Sequence, residues 1–154
     1  MPNKVDTTLS KELLTLLRRE QYVLLSTIDY ETTGPDVSAI SWLYAVDCQT
    51  IVFAVDAKSR IVKNIHDNDQ ISITLIGNES TYAICGEALM TEDRMEGVPL
   101  KLAKFELQIS EVRDIMFYGA KMSVEPAYEK TYDLEAAAKL DRSVMMELKK
   151  SNAR

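Results

Sequence analysis

The chain is short of the residues that most often announce chemistry. Among 154 residues there are two cysteines, one histidine and one tryptophan, with five glycines and four prolines. Cys48 and Cys85 stand far apart and neither belongs to a CxxC pair, so a zinc site or redox dithiol is unsupported and both are expected to be reduced, partly buried thiols. His66 sits in the polar run Asn64-Ile65-His66-Asp67-Asn68, which suits a solvated helix end better than a catalytic base, and it receives no role. Glu92, Asp93 and Glu96 have no histidine or matched acid beside them and read as a solvated turn, so neither a metal site nor a nucleophilic triad is indicated. The scarcity of glycine and proline excludes low-complexity character. An excess of positive charge is missing too. The formal charge of −6 and a pI near 4.9 disfavour non-specific binding to nucleic acid or to an anionic membrane. No apolar run approaches the length of a membrane span, and Met1-Pro2-Asn3-Lys4-Val5-Asp6 lacks the apolar core of a secretion signal, so the expected location is the cytoplasm.

What is present is an ordinary globular composition, 46% hydrophobic and 27% charged, sufficient for one domain over residues 1–154. Leu9, Leu13, Leu16 and Leu17 form one stripe of an opening helix capped near Ser10. Runs rich in β-branched residues follow at 22–28, 37–46 and 50–55, joined by short polar connections, and strand periodicity resumes at 70–76, 81–90 and about 103–109. One helix, about 59–68, interrupts them after the third run. From about residue 120 the pattern loosens into a C-terminal helical extension ending in a helix over about 133–149. Its stripe of Ala137, Leu140, Val144 and Leu148 is for packing, while Met145 and Met146 suit core or dimer contact equally. The expected fold is mainly β with peripheral helices, a six-stranded antiparallel barrel or sandwich; no glycine-rich turn supports a dinucleotide fold.

The most informative segment runs from Phe53 through Ala54, Val55, Asp56, Ala57 and Lys58 to Ser59-Arg60-Ile61-Val62-Lys63. It carries an apolar strand directly into a helix start. Residues three apart share a helical face, so Arg60 and Lys63 are able to converge, with the Ser59 hydroxyl and the free amides of the first turn, on one anion. The competing reading is a solvated helix start with a serine cap.

The order and spacing from Gly34 to Gly86 resemble the flavin-binding split barrel of the pyridoxamine 5′-phosphate oxidase-like superfamily. The matching stretches are Gly34-Pro35-Asp36-Val37-Ser38-Ala39-Ile40-Ser41-Trp42, the strand-to-helix run ending at Ser59-Arg60, Asn64-Ile65 with Asn68-Asp69, and Tyr82-Ala83-Ile84-Cys85-Gly86. The resemblance implies an FMN cofactor. It implies that Ala39, Ile40, Ser41 and Trp42 line the flavin ring, that Val55 and Asp56 flank it, and that Ser59, Arg60 and Lys63 hold the phosphate. For Trp42, filling the barrel is the alternative role. The family's oxidases carry arginine at the position of Ala39 and lysine at that of Ile61, and here Lys58 and Lys63 would compensate. The resemblance also implies a homodimer whose second subunit completes the pocket, with Thr81 where the oxidases often place a glutamine. The oxidases' C-terminal substrate-gripping signature has no counterpart after Gly119, which points to the general-stress-protein-like branch and away from vitamin B6 oxidation. The expected function is thus an FMN-dependent oxidoreductase acting on a small cytoplasmic molecule. The alternatives are a non-catalytic flavin-binding stress or sensor protein and a cofactor-free interaction domain; sister groups of the fold bind haem or a deazaflavin.

Overall fold

The computed structural model describes residues 5–151; residues 1–4, the start of the polar N-terminus read above, and residues 152–154 lie outside the described residues. The chain begins with a two-residue strand, β1 (Val5–Asp6), and helix α1 (Lys11–Leu16). The helix starts where Ser10 Oγ accepts a hydrogen bond from the Leu13 amide at 3.2 Å, and Leu9, Leu13 and Leu17 of the expected stripe are buried. Next come β2 (Val23–Ile28), β3 (Pro35–Ile40), β4 (Leu43–Asp47) and β5 (Thr50–Asp56), then helix α2 (Arg60–Asp67). Strands β6 (Gln70–Gly77), β7 (Ser80–Glu92) and β8 (Leu102–Asp114) follow, and helix α3 (Leu134–Lys149) closes the chain.

The strands form one antiparallel sheet in the order β3-β2-β6-β7-β8-β5-β4, with β1 beside β8. The fold class agrees with the expectation, but the strands number eight. The expected strand over 37–46 is two strands. Val23 pairs with Ile40 on one side of Ser41-Trp42, and Leu43 pairs with Phe53 on the other. Within the crossing, Gln21 N–H donates to the Ser41 carbonyl at 3.1 Å and Ala54 N–H to the Trp42 carbonyl at 3.0 Å. The two halves therefore belong to opposite ends of the sheet, which curls until its ends are linked by two residues without closing. This is the split of the barrel.

Strand β5 is buried on both faces, as its unbroken apolar run requires. Ile51, Phe53 and Val55 face the barrel core, where the Phe53 and Phe105 rings stack with centroids 5.4 Å apart. Val52 and Ala54 face a second core with Val46, Met95, Leu102 and, from α3, Val144, Met145 and Leu148. This settles the two methionines, since Met145 is packed and Met146 is 60% exposed. The β7–β8 ladder slips register between Cys85 and Gly86, where a Cβ on Gly86 would lie 1.9 Å from the Gln108 carbonyl oxygen, so only glycine fits. Both cysteines are free; Cys85 is half-buried, but Cys48, in the β4–β5 turn, is exposed, contrary to the expectation of two partly buried thiols. Among the described residues no helix is long and apolar enough to cross a membrane.

Candidate functional site

A cavity of about 340 Å³ lies at the split, lined by Ala39, Ile40, Ser41, Trp42, Ala54, Val55, Asp56, Ser59 and Ile61. Three pieces of chain build it: the end of β3 with its crossing to β4, the end of β5, and the start of α2. The cavity lies where the chain crosses between the two end strands of the sheet. Its walls are chiefly apolar, with Ser41, Asp56 and Ser59 as the polar exceptions.

Ser59 occupies the N-cap position of α2, yet its side chain makes no capping bond. Its Oγ is buried and has no hydrogen-bond partner. A buried hydroxyl without a partner costs roughly 1–3 kcal/mol, so such groups are rare. This one sits at a helix N-terminus, where the amides of Arg60 and Ile61 have no intrahelical acceptor and the helix dipole favours negative charge. A hydroxyl donor beside those amides and dipole matches an anionic oxygen, and the apolar walls along Ala39, Ile40, Trp42 and Val55 match a flat ring. The residues present therefore fit a cofactor that combines an aromatic ring with a phosphate.

The flanking cations have partners of their own. Arg60 Nη1 is 3.0 Å from Asp29 Oδ2, while the Arg60 side chain remains 58% exposed and keeps further N–H groups for an anion. Lys63 Nζ lies 5.6 Å above the Tyr30 ring. The two cations expected to converge on an anion are thus both drawn to the β2–β3 turn. In that turn Asp29 Oδ1 accepts from the amides of Glu31 at 2.8 Å and Thr32 at 3.0 Å. The Thr32 and Glu31 amides, and then the Arg60 charge, hold the Asp29 carboxyl below the usual carboxylate range against the opposing effect of burial. Lys58 is exposed in the loop before α2, where its amide donates to Asp56 Oδ1.

Thr81 stands apart from all of these. It lies beside the β6–β7 hairpin, its carbonyl accepting from the Ile115 amide at 2.8 Å. Asp56 pairs with Leu102 at the start of β8 and Tyr82 pairs with Asp114 at its end, so the length of that strand separates Thr81 from the cavity of its own chain.

Two residues that tie the site together received no role in the sequence reading. Asn64, fully buried on α2, accepts from the Tyr30 amide at 2.9 Å and donates to Thr27 Oγ1 at 2.9 Å and Asp36 Oδ2 at 3.0 Å, tying the helix to the β2–β3 hairpin. Its signal was available, a polar residue in line with Ile61 and Ile65 on the buried helical face. Asp141 accepts from the Trp42 indole at 2.9 Å across 99 residues, and no local pattern announces it. Trp42 borders the cavity and packs against the second core, beside α3, and does not fill the barrel core. Among the described residues no group of three or more His, Cys, Asp or Glu side chains is arranged to hold a metal ion.

An antiparallel barrel split between its end strands, with a chiefly apolar cavity in the split and the start of a helix beside it, defines a split-barrel domain. The family profile for pyridoxamine 5′-phosphate oxidase matches residues 9–128, and the chain belongs to that family. Similar solved structures include a candidate pyridoxamine 5′-phosphate oxidase from Lactobacillus delbrueckii, at 17% identity, covering 73% of this chain and 98% of that one with a TM-score of 0.61. HupZ of Group A Streptococcus follows at 16% identity, 75% and 99% coverage and a TM-score of 0.58. General Stress Protein 26 of Bacillus anthracis is similar at 13% identity, 68% and 97% coverage and a TM-score of 0.54. At these identities the likeness is one of fold. A comparison with curated proteins finds no match.

Proposed function

We propose that the protein is a cytoplasmic FMN-binding flavoprotein, working as an oxidoreductase on a small molecule. The observation that carries this reading is the buried, unpartnered Ser59 hydroxyl at the start of α2, on a residue that lines the chiefly apolar cavity. In this reading Ser59, the first amides of α2 and the free N–H groups of Arg60 bind the phosphate, with Lys58 and Lys63 adding positive potential. Ala39, Ile40, Trp42, Val55 and Asp56 border the ring, and the Ser41 hydroxyl is available to its polar edge. When bound, FMN supplies hydride transfer; the chain supplies orientation and exclusion of water.

The site is completed by a second copy of the chain. Strand β3 ends the sheet with one edge unpaired, and its Val37, two residues before the cavity-lining Ala39, is 56% exposed, a combination that a symmetric partner would cover. Thr81, remote from its own cavity, is then available to that of the partner. The direct test is equilibrium titration with FMN and with riboflavin, alongside sedimentation. Binding of FMN at least about tenfold tighter than riboflavin, the worth of one charge-assisted hydrogen bond, to a dimer is expected. Equal affinities would remove the phosphate site, and tight binding by a strict monomer would remove the shared pocket.

A further inference from the structure

The family match ends at residue 128, yet the cavity wall is fastened to residues beyond it. The Trp42 indole N–H donates to Asp141 Oδ1 of α3 at 2.9 Å. Asp141 is in turn clamped by Lys130, whose Nζ lies 3.1 Å from Asp141 Oδ2 and 3.3 Å from Oδ1. The same ammonium is 3.1 Å from Glu20 Oε2, and Glu20 Oε1 accepts from the Tyr128 hydroxyl at 2.8 Å. All three charged side chains are largely covered, so each depends on the others for compensation. The indole is held from the side as well, packing beside Leu140 against the α3 core. Trp42 is half of the two-residue crossing between the ends of the sheet.

We infer that Asp141 is a positioning residue for the cofactor site: clamped by Lys130 and Glu20, it sets the Trp42 indole as a fixed wall of the cavity, making the C-terminal extension part of the binding site. The inference deepens the flavin reading and rests on it. Asp141 touches no ligand in this account. It acts through the indole, and its loss leaves the N–H unpaired and the wall free to turn into the cavity or away from it.

Trp42 is the only tryptophan, so its signals are those of one side chain. In the cofactor-free protein the single indole N–H resonance should exchange with solvent far more slowly than that of free tryptophan; exchange at the free rate overturns the inference without any variant. Asp141→Ala should shift Trp42 emission to the red, increase its quenching by acrylamide and weaken FMN about fivefold to tenfold, the equivalent of one hydrogen bond. Asp141→Asn retains an acceptor for the indole and should restore emission and affinity toward the parent protein even if its melting temperature stays lower. If α3 were only a structural cover, both variants would lower the melting temperature while leaving the emission and FMN affinity of the folded protein unchanged, and the inference would fall. A parent protein that takes up no flavin overturns the flavin reading instead, and the indole signals then still decide whether Asp141 fixes the wall.

Discussion

Replacing Ser59 by alanine should raise the stability of the cofactor-free protein and lower its affinity for FMN. A serine N-cap ordinarily stabilises a helix by about 1 kcal/mol through its side-chain hydrogen bond to the first turn, but Ser59 makes no such bond. Its hydroxyl is instead buried and unpartnered. Removing it relieves a desolvation cost on the order of 1 kcal/mol at the low end of the usual range, which for a chain of this length is a rise in melting temperature of about 2–4 °C. With FMN the sign reverses. The hydroxyl gains a charged acceptor, and its loss should cost about 1.5–3 kcal/mol, or roughly a tenfold to hundredfold increase in Kd. Riboflavin, which has the ring and ribityl chain but no phosphate, should bind the variant and the parent equally. Thermal melts of the cofactor-free proteins and flavin-fluorescence titrations read the two effects separately. A fall in melting temperature would mean that Ser59 caps the helix after all. Equal losses for FMN and riboflavin would mean that it does not meet the phosphate.

Asn64→Ala removes three hydrogen bonds from a fully buried position and should destabilise the protein by about 3 kcal/mol at about 1 kcal/mol each, measured by urea denaturation; a loss below about 1 kcal/mol would show that the tie between α2 and the hairpin is dispensable. The clamp around Trp42 should fail in alkali. Burial, and then the hydrogen bond to Glu20, push Tyr128 up to about 12 from its usual 10; burial lowers the Lys130 pKa, but the hydrogen bonds that Lys130 donates to Asp141 and Glu20, with the charges of both carboxylates, outweigh it and raise the pKa. Groups with raised folded-state pKa values stabilise fully below their unfolded values and cease to do so as pH passes the folded ones, so Trp42 emission should hold steady to pH 10 and change as pH rises toward 12; a transition complete by pH 10 would contradict this. Pyridoxamine 5′-phosphate should not be oxidised at a rate typical of enzymes, about 1 per second or faster, even by FMN-loaded protein. Two of the tail cations are already engaged, Lys121 with Glu79 and Lys130 in the clamp, so pyridoxal phosphate formation at that rate would show that a second phosphate anchor exists.

The parts of this structure written in local pattern were legible in the sequence. The Leu9, Leu13 and Leu17 stripe marked α1, the apolar run at 50–55 marked β5 though not its burial on both faces, and the strand-to-helix passage at Ser59 coincides with one end of the cavity. What escaped depends on pairing at a distance. No glycine or proline marks Ser41-Trp42, and side chains alternate across it, so nothing local reveals that Ile40 and Leu43 pair with different strands. The attachment of Arg60 to Asp29 spans 31 residues and that of Trp42 to Asp141 spans 99. The resemblance directs Arg60 toward a ligand and leaves Trp42 between a ligand and packing, and neither the carboxylate drawing the guanidinium to a turn nor the one bonded to the indole has a local signature.

The central claim is that the split of this barrel holds FMN. It is tested most directly by mass identification of what denaturation releases from the protein as purified, and by the visible spectrum of the protein after it has been loaded with FMN and freed of unbound flavin by gel filtration. The account predicts the absorption bands of an oxidised flavin and the release of FMN, about one per chain, since each chain carries one such cavity. A protein that remains colourless after FMN is added, or that releases haem or a deazaflavin in its place, would contradict it.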